Sequence, residues 1–319
     1  MYRYIRPLKI VFQRPDSFHI IGICLYWKVK AGLGRLKLKS NAMTKNKTGK
    51  LVISIVSKLM WFVAPSMTAK IIKKAFFASR NMRVDDSHKT LLAGAERFEV
   101  MALGKTIQCW KWGSGPSILL VHGWGMRGIK LAPLINPLLE SGYSVVAYDS
   151  LAHGESEGDT TNFFELVESV NAVFDHIGEA DFVIAHSMGA AAAVNLRNGN
   201  GKKIKFVLIA PIYDLHRVIY TFGEASGLYM PVYENIIHNI ENNFGKTLND
   251  VSPMTIAGDI KAPVLIFHDE DDTTVPVRHG EALAGKLEDA RLVKTSGLGH
   301  NQILKSKELV ERVIEFLAE

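Results

Sequence analysis

The stretch DFVIAHSMGAAAAVNLR, residues 181–197, decides the fold. Its first six residues, 181–186, form an apolar run of strand length, and the alanine-rich residues after Ser187 favour a helix. The sequence therefore predicts a strand that turns sharply into a helix at this serine. The residues two positions before and after it, Ala185 and Gly189, are small enough for the strand and the helix to approach each other closely.

The same alternation of apolar strands and helical segments continues on both sides. We predict a hairpin over 96–103 and 106–112, closed near Gly104, and then buried strands at 117–122, 144–149, 181–186, 205–210, 263–268 and 290–295. Helices are predicted at 130–141, 163–177, 188–197, 277–287 and 306–318. The pattern is typical of an α/β fold with a mostly parallel central sheet and helices on both faces. The long gap at 213–260 predicts a small helical cap inserted before the penultimate strand.

Charge is unevenly distributed along the 319 residues, whose net charge is +6. Residues 1–90 hold 19 Lys and Arg against three Asp, whereas residues 91–319 hold 19 basic and 29 acidic side chains. We therefore predict a basic N-terminal arm, residues 1–90, followed by an acidic main domain, residues 91–319. The acidic balance of the main domain gives no basis for a nucleic-acid partner.

The arm offers two alternatives. Its apolar run Phe18–Trp27 is about ten residues long against the ~20 needed to cross a bilayer, and it predicts neither a span nor a secretory signal. Residues 51–77 predict two amphipathic helices broken at Pro65. We expect them to pack on the main domain, with peripheral contact to an anionic membrane as the alternative. Residues 1–42 also resemble an upstream extension, in which case the chain starts at Met43.

The two cysteines, Cys24 and Cys109, are too few for a disulfide framework or a zinc cluster. We therefore predict a protein of the cytoplasm, with the inner membrane surface as the peripheral alternative, and we expect no bound metal.

Ser187 in such a turn is either a helix N-cap or a nucleophile, and the later sequence favours the nucleophile. A serine nucleophile needs a base, and the base needs an orienting acid, in the chain order serine, acid, histidine. His300 lies in a glycine-rich loop after the last strand, and Asp272 lies in the acidic loop 269–272 after the preceding strand. Asp214, which follows the strand at 205–210, is the alternative acid.

Two backbone N–H groups must also face the oxygen that becomes negative during attack on a carbonyl. Met188 supplies one of these donors because it follows the serine at the start of a helix. We predict that Trp124 supplies the other, from the loop after the strand at 117–122.

These motifs together resemble the α/β-hydrolase superfamily over about residues 96–319. The segments that carry the resemblance are His122-Gly123-Trp124, DSLAHGES at 149–156, AHSMG at 185–189, the Asp272 loop and Gly299-His300. The resemblance implies a bacterial serine hydrolase with Ser187 as nucleophile, Asp272 as orienting acid, His300 as base, and Trp124 and Met188 as oxyanion donors. Ala152 and Ala185 depart from it, because many relatives have glycine there.

Two other classes of function compete with a hydrolase. Residues 123–128 match the dinucleotide-binding pattern G-x-G-x-x-G, with Asp149 at the end of the next strand, as in a nicotinamide or flavin oxidoreductase. The oxyanion loop explains the same glycines, so we expect no cofactor. The fold could also serve a non-enzymatic, membrane-associated binding protein, although a complete triad is hard to explain without chemistry.

The predicted substrate is a small-molecule ester with an apolar, uncharged acyl group, cleaved through an acyl-enzyme. The cap supplies an apolar and aromatic wall that favours such an ester over a sugar or a peptide. The wall residues are Ile212, Tyr213, Val218, Ile219, Tyr220, Phe222, Leu228, Tyr229 and Met230. A thioester or a lysophospholipid, cleaved by the same triad, is the alternative.

Overall fold

A computed structural model describes residues 47–78, 83–178, 180–197 and 204–319. The apolar run Phe18–Trp27 and the alternative start at Met43 lie outside these ranges. Eight strands are described: β1 Glu96–Ala102, β2 Lys105–Trp112, β3 Ser117–Val121, β4 Ser144–Tyr148, β5 Phe182–His186, β6 Lys205–Ile209, β7 Val264–Asp269 and β8 Ala290–Thr295.

In the described ranges, the helices lie before, between and after these strands along the chain. They are α1 Lys47–Val63, α2 Pro65–Phe76, α3 Asp86–Ala93, α4 Ala132–Glu140, α5 Phe163–His176, α6 Met188–Ala193, α7 Leu215–Ala225, α8 Met230–Phe244, α9 Pro253–Ile256, α10 Arg278–Ala284, α11 Gly299–Gln302 and α12 Lys307–Ala318. Short 3-10 turns cover Gly128–Leu131, Ala257–Asp259 and Ile303–Lys305.

The eight strands form one sheet in the order β1-β2-β4-β3-β5-β6-β7-β8. The hairpin β1–β2 pairs antiparallel, and β2 also runs antiparallel to β4. All later neighbours pair parallel, from β4–β3 across to β7–β8. The predicted fold class is thus confirmed, and the predicted helical insertion is present, since α7, α8 and α9 lie between β6 and the penultimate strand β7.

The parallel strands are apolar throughout because both of their faces are covered. In β3, Ile118, Leu119 and Leu120 are all fully buried although they alternate between the two faces. One face contributes Ile118 and Leu120 to a core that also contains Leu134 and Leu138 of α4 and residues of α12. Parallel strands with buried faces bring their carboxyl ends to one edge, where open α/β sheets place their sites.

Contacts divide the described residues into two compact units. The helical unit comprises the residues up to Phe76 together with Ile219–Asn239, and the sheet unit comprises Phe77–Val218 and Ile240–Glu319. Residues 219–239, which belong to the predicted helical insertion, thus group with α1 and α2. As predicted, α1 and α2 are separated at Pro65, which begins α2.

None of the helices in the described ranges combines the length and the apolar character that crossing a bilayer requires.

Candidate active site

Ser187 occupies a strained turn between β5 and α6. Its backbone has φ 57° and ψ −122°, in the left-handed region that L residues other than glycine rarely adopt. The Ser187 N–H donates to the Ile209 carbonyl of the neighbouring strand at 2.9 Å, which holds the turn on the sheet. A non-glycine residue kept in this conformation is typical of a functional site. The turn presents a serine that is 8% exposed at the carboxyl edge of the sheet.

Two glycines allow the chain to close tightly around this turn. A Cβ at Gly189 would lie 2.3 Å from the His122 carbonyl oxygen, so only glycine lets α6 start against the end of β3. A Cβ at Gly123 would lie 3.1 Å from Ser187 Cβ. The loop after β3 therefore lies directly against the serine, where the sequence analysis expected it.

His300 joins Ser187 to Asp272. Its Nε2 lies 2.9 Å from Ser187 Oγ, and its Nδ1 lies 2.6 Å from Asp272 Oδ2. All three side chains are buried, with residual exposures of 4% to 8%. The structure thus brings the three predicted residues into one hydrogen-bonded chain, with contributions from the ends of β5, β7 and β8.

Asp272 is fixed as a carboxylate by several donors. Its Oδ1 accepts the N–H groups of Thr274 and Val275, both at 2.8 Å. Burial by itself would raise the pKa of this carboxyl, but the neighbouring rings of His268 and His300 outweigh burial and hold the pKa below its usual range. Asp272 is therefore ionised at neutral pH, as the partner of a histidine base must be.

The other acidic residues of this loop hold the segment that carries His300. Asp269 accepts the hydroxyl of Thr295 at 2.7 Å and the N–H groups of Leu298 and Gly299 at 3.1 and 2.8 Å. Asp271 accepts the N–H of Gly297 at 2.7 Å. This role of Asp269 and Asp271 was not predicted from the sequence, because it depends on contacts between segments that are 26 to 30 residues apart.

Asp214, the alternative acid, lies at the start of α7. Its Oδ1 accepts the N–H of Arg217 at 2.9 Å, as a side chain at the start of a helix does. The carboxylate at His300 Nδ1 belongs to Asp272.

His122 orients the peptide group that contains the Trp124 N–H. Its Nε2 accepts the Ser150 N–H at 2.9 Å, so the proton of the neutral ring lies on Nδ1, which donates to the Gly123 carbonyl at 2.8 Å. Because C=O and N–H point in opposite directions in a trans peptide, the Trp124 N–H is directed away from the His122 ring. Met188, the other predicted donor, is the first residue of α6, so its N–H has no intrahelical partner.

Two further histidines support the site and were not assigned from the sequence. His153 Nε2 accepts the Gly125 N–H at 3.0 Å, which fixes the far side of the oxyanion loop, and its ring contacts the Trp124 indole edge to face. His186 Nε2 donates to the His300 carbonyl at 2.9 Å. Burial lowers the pKa of His122 to about 4 and that of His153 and His186 to about 3, so these rings are neutral.

Asp149, the acid of the competing dinucleotide pattern, already has its hydrogen-bond partners. Its carboxylate accepts the Arg127 guanidinium at 3.0 Å and the N–H groups of Gly128 and Glu155 at 2.8 and 2.9 Å. The side chain is fully buried. It braces the loop 123–128 and has no free face for the hydroxyls of a ribose. Within the described ranges, no group of three or more His, Cys, Asp and Glu side chains is placed to hold a metal ion.

Comparison with known proteins agrees with this geometry. Residues 115–253 match the family model described as serine aminopeptidase, S33, and residues 246–319 match the model described as TAP-like protein. The chain belongs to the α/β-hydrolase superfamily of enzymes.

Individual known proteins are similar to parts of this chain. A non-heme haloperoxidase of Rhodococcus erythropolis is 26% identical over 240 residues, covering 59% of this chain and 87% of that protein. A 2-hydroxy-6-oxo-6-phenylhexa-2,4-dienoate hydrolase of Comamonas testosteroni is 28% identical over 255 residues, covering 64% and 88%. An esterase structure from Pyrococcus furiosus superposes with a TM-score of 0.58 at 20% identity, covering 76% and 97%, and it shows a shared fold.

Proposed function

We propose that this protein is a serine hydrolase that cleaves carboxylic esters through an acyl-enzyme. The single observation that carries the proposal is the chain of contacts from Ser187 Oγ through His300 to Asp272, at 2.9 and 2.6 Å. Two further features support the proposal. Ser187 lies in a strained turn, and the contacts of Asp272 keep its carboxylate ionised.

In the first half of the reaction, Ser187 Oγ attacks the ester carbonyl carbon while its proton passes to His300 Nε2. The carbonyl oxygen becomes negative and is stabilised by the N–H groups of Trp124 and Met188. Nε2 then gives the proton to the departing alkoxide, which leaves as an alcohol. Asp272 holds the ring so that Nε2 faces the serine, and it stabilises the imidazolium that forms.

The second half repeats these steps with water. His300 Nε2 removes a proton from a water molecule, whose oxygen attacks the acyl-enzyme carbonyl. Collapse of the tetrahedral intermediate returns the proton from Nε2 to Ser187 Oγ and releases the carboxylic acid. No cofactor or metal is required at any step.

We infer an apolar, uncharged acyl group from the composition of residues 212–230, which are aliphatic and aromatic with few charges. The bifunctional esterase/perhydrolase of Acinetobacter calcoaceticus is 23% identical over 254 residues, and its name includes the ester hydrolysis that we propose. Thioesters and lysophospholipids would use the same triad.

Replacement of the serine tests the mechanism. Ser187→Ala should lower the turnover of p-nitrophenyl esters at least about a thousandfold, because loss of a triad nucleophile typically costs ~10⁴ to 10⁶. A fluorophosphonate probe should label the wild type and not the variant. Ser141→Ala, at an exposed serine, is the matched control and should retain full activity. A folded Ser187→Ala protein with activity within tenfold of the wild type would contradict the mechanism.

Substrate choice needs a separate comparison. We expect kcat/KM to be higher for p-nitrophenyl esters of short and medium acyl length than for an aminoacyl p-nitroanilide, whose amide bond models a peptide. A higher kcat/KM for the anilide would indicate that the substrate is a peptide, cleaved by the same triad.

A further inference from the structure

The helices α1 and α2 both expose large apolar side chains, which together we call the apolar ridge. Phe62 and Val63 are 69% and 85% exposed, and Leu59 and Met67 are both 61% exposed. The ridge comprises Leu51, Val52, Ile55, Leu59, Phe62, Val63, Met67 and Ile71. A contiguous exposed patch of this kind marks a surface that binds something apolar.

The ridge lies on another side of α1 than Ser57, and at its edge the Phe62 ring lies 6.4 Å from the Tyr229 ring. Ser57 is 5% exposed, and its Oγ accepts the Tyr229 N–H at 3.0 Å. The ridge residues at 51, 55, 59 and 62 recur every three or four positions, which places them along one side of the helix. Because the Ser57 side of α1 is packed within the helical unit, the ridge is the side of this helix that is available to a binding partner.

The end of α2 is anchored within the same unit. Ile72 and Phe76 are buried, and the Phe76 ring meets Phe222 and Tyr233 edge to face at 5.9 and 6.2 Å. The exposed members on α2, Met67 and Ile71, are one turn apart and therefore lie on one side of that helix.

The charges beside the ridge are all positive. Residues 47–76 contain six lysines and no aspartate or glutamate. Five of the lysines are exposed, and they are Lys47, Lys58, Lys70, Lys73 and Lys74. A large apolar row flanked only by lysine is the pattern by which an amphipathic helix lies in the interface of an anionic bilayer.

Charge also decides against two other occupants. A symmetric dimer in which two copies of the chain meet ridge to ridge would bring the same six lysines against these six, and like charges repel. Residues 1–42 hold nine basic side chains against one acid, so they too are like-charged with the ridge. An anionic lipid surface is the occupant that matches both the apolar row and its charge.

We propose that the apolar ridge docks this protein on an anionic phospholipid surface, with α1 and α2 lying along the interface. The apolar side chains enter the boundary between headgroups and acyl chains, and the lysines contact phosphate. The proposal concerns the helical unit alone and adds to the proposed function a place of action that does not depend on the triad.

Vesicle flotation with the full chain tests the docking. The wild type should float with vesicles of phosphatidylglycerol and phosphatidylcholine at low salt, and should float much less with pure phosphatidylcholine or at high salt. The pair Leu59→Ser and Phe62→Ser should lower the partition coefficient at least about tenfold, because it removes two large apolar side chains from the interface. Lys70→Glu with Lys74→Glu should lower it on anionic vesicles alone.

Matched controls separate the ridge from general stickiness and from catalysis. Met101→Ser with Leu103→Ser removes two side chains of the sheet unit that are 62% and 51% exposed, and it should leave flotation unchanged. Ser187→Ala should float like the wild type although it has lost ester turnover, so failure of one proposal leaves the other standing. Circular dichroism and turnover of a soluble ester should show that the ridge variants are folded.

Two results would overturn the proposal. One is a wild type that stays in the supernatant with anionic vesicles at low salt. The other is a concentration-dependent dimer that the Leu59→Ser and Phe62→Ser pair dissociates while vesicle binding is unaffected, which would assign the ridge to a second copy of the chain.

Discussion

At the scale of single residues, the site depends on one strained serine that its neighbours hold in place. A left-handed conformation costs a non-glycine residue roughly 1–2 kcal/mol, so Ser187 would relax if it were free. The bond from its N–H to the Ile209 carbonyl and the close approach at Gly189 prevent this. The backbone strain therefore lies at the proposed nucleophile, and the packing of the sheet offsets it.

The choice of acid gives the sharpest test at this scale. Asp272→Asn should lower kcat by about 10³ to 10⁴, because an amide at this position no longer stabilises the imidazolium and favours the wrong tautomer of His300. Asp214→Asn is the matched control, because asparagine caps a helix about as well as aspartate, and its kcat should stay within a few-fold of the wild type.

Steady-state kinetics on a soluble p-nitrophenyl ester measure both variants, with circular dichroism to verify folding. If Asp214→Asn were the crippled variant and Asp272→Asn the mild one, the acid would belong at the start of α7.

The sequence identifies the serine and the histidine more securely than the acid. Chain order and small neighbours suffice for Ser187 and His300. Asp269, Asp271 and Asp272 lie at the end of β7 or just after it, and their spacing does not tell them apart. They differ in the backbone N–H groups that their carboxylates accept. Thr274 and Val275 donate to Asp272, whereas Leu298 and Gly299 donate to Asp269. The bonds to Asp269 join segments 29 and 30 residues apart, and local sequence patterns do not indicate such contacts.

At the scale of elements, the strands follow the prediction within about a residue, because a buried parallel strand must be apolar on both faces. Helix ends follow it less well. The predicted helix over 188–197 stops at Ala193, where the Asn195 side chain bonds the carbonyls of Ala191 and Val251. α3 was not predicted, since it is short and polar and owes its start to the Asp85 cap.

The turn between β1 and β2 offers a stability test. Leu103 and Gly104 connect the strands with φ of 51° and 71°, the positive values of a two-residue type I′ turn. Leucine is strained there, whereas asparagine tolerates the left-handed region. Leu103 is 51% exposed, so its replacement gives up little buried area. Leu103→Asn should raise the free energy of unfolding by about 0.5–1 kcal/mol.

Urea denaturation of wild type and variant measures this difference. Met101→Asn is the control, because it also replaces an exposed apolar residue but lies within β1, where asparagine is disfavoured and no strain is relieved. It should be neutral or destabilising. A Leu103→Asn protein less stable than the wild type would show that the leucine side chain contributes more than its strained backbone costs.

At the scale of the whole molecule, residues far apart in sequence meet because the sheet aligns strand ends. Trp124, Ser187, Asp272 and His300 follow β3, β5, β7 and β8, and those strands are neighbours or near neighbours in one sheet. The mostly parallel sheet was predictable because each buried strand was recognisable by its own apolar run. The grouping of α1 and α2 with residues 219–239 was not, since it depends on contacts such as Ser57 with Tyr229, for which no local pattern exists.

Three buried histidines make the stability of the fold depend on pH. His122, His153 and His186 have pKa values of about 4, 3 and 3 in the folded protein because burial disfavours their charged forms, against an ordinary value of 6.5. The unfolded chain therefore binds more protons than the folded one between pH 6.5 and about 4. Stability conferred by the neutral rings is complete above pH 6.5 and is lost as the pH falls through this window.

We expect the free energy of unfolding to fall by at least about 2 kcal/mol between pH 7.5 and pH 5.5. Each such histidine contributes a loss of about 1.4 kcal/mol at pH 5.5, or about 4 kcal/mol for three. Asp149 opposes them in part, because burial raises its pKa and its protonation stabilises the fold at low pH.

Urea denaturation at the two pH values measures the change. His153→Gln should reduce the loss, whereas His238→Gln, at an exposed histidine, should leave it unchanged. Equal stability of the wild type at pH 7.5 and pH 5.5 would mean that the three rings are not held neutral, and the tautomer assigned to His122, with its effect on the Trp124 N–H, would have to be given up.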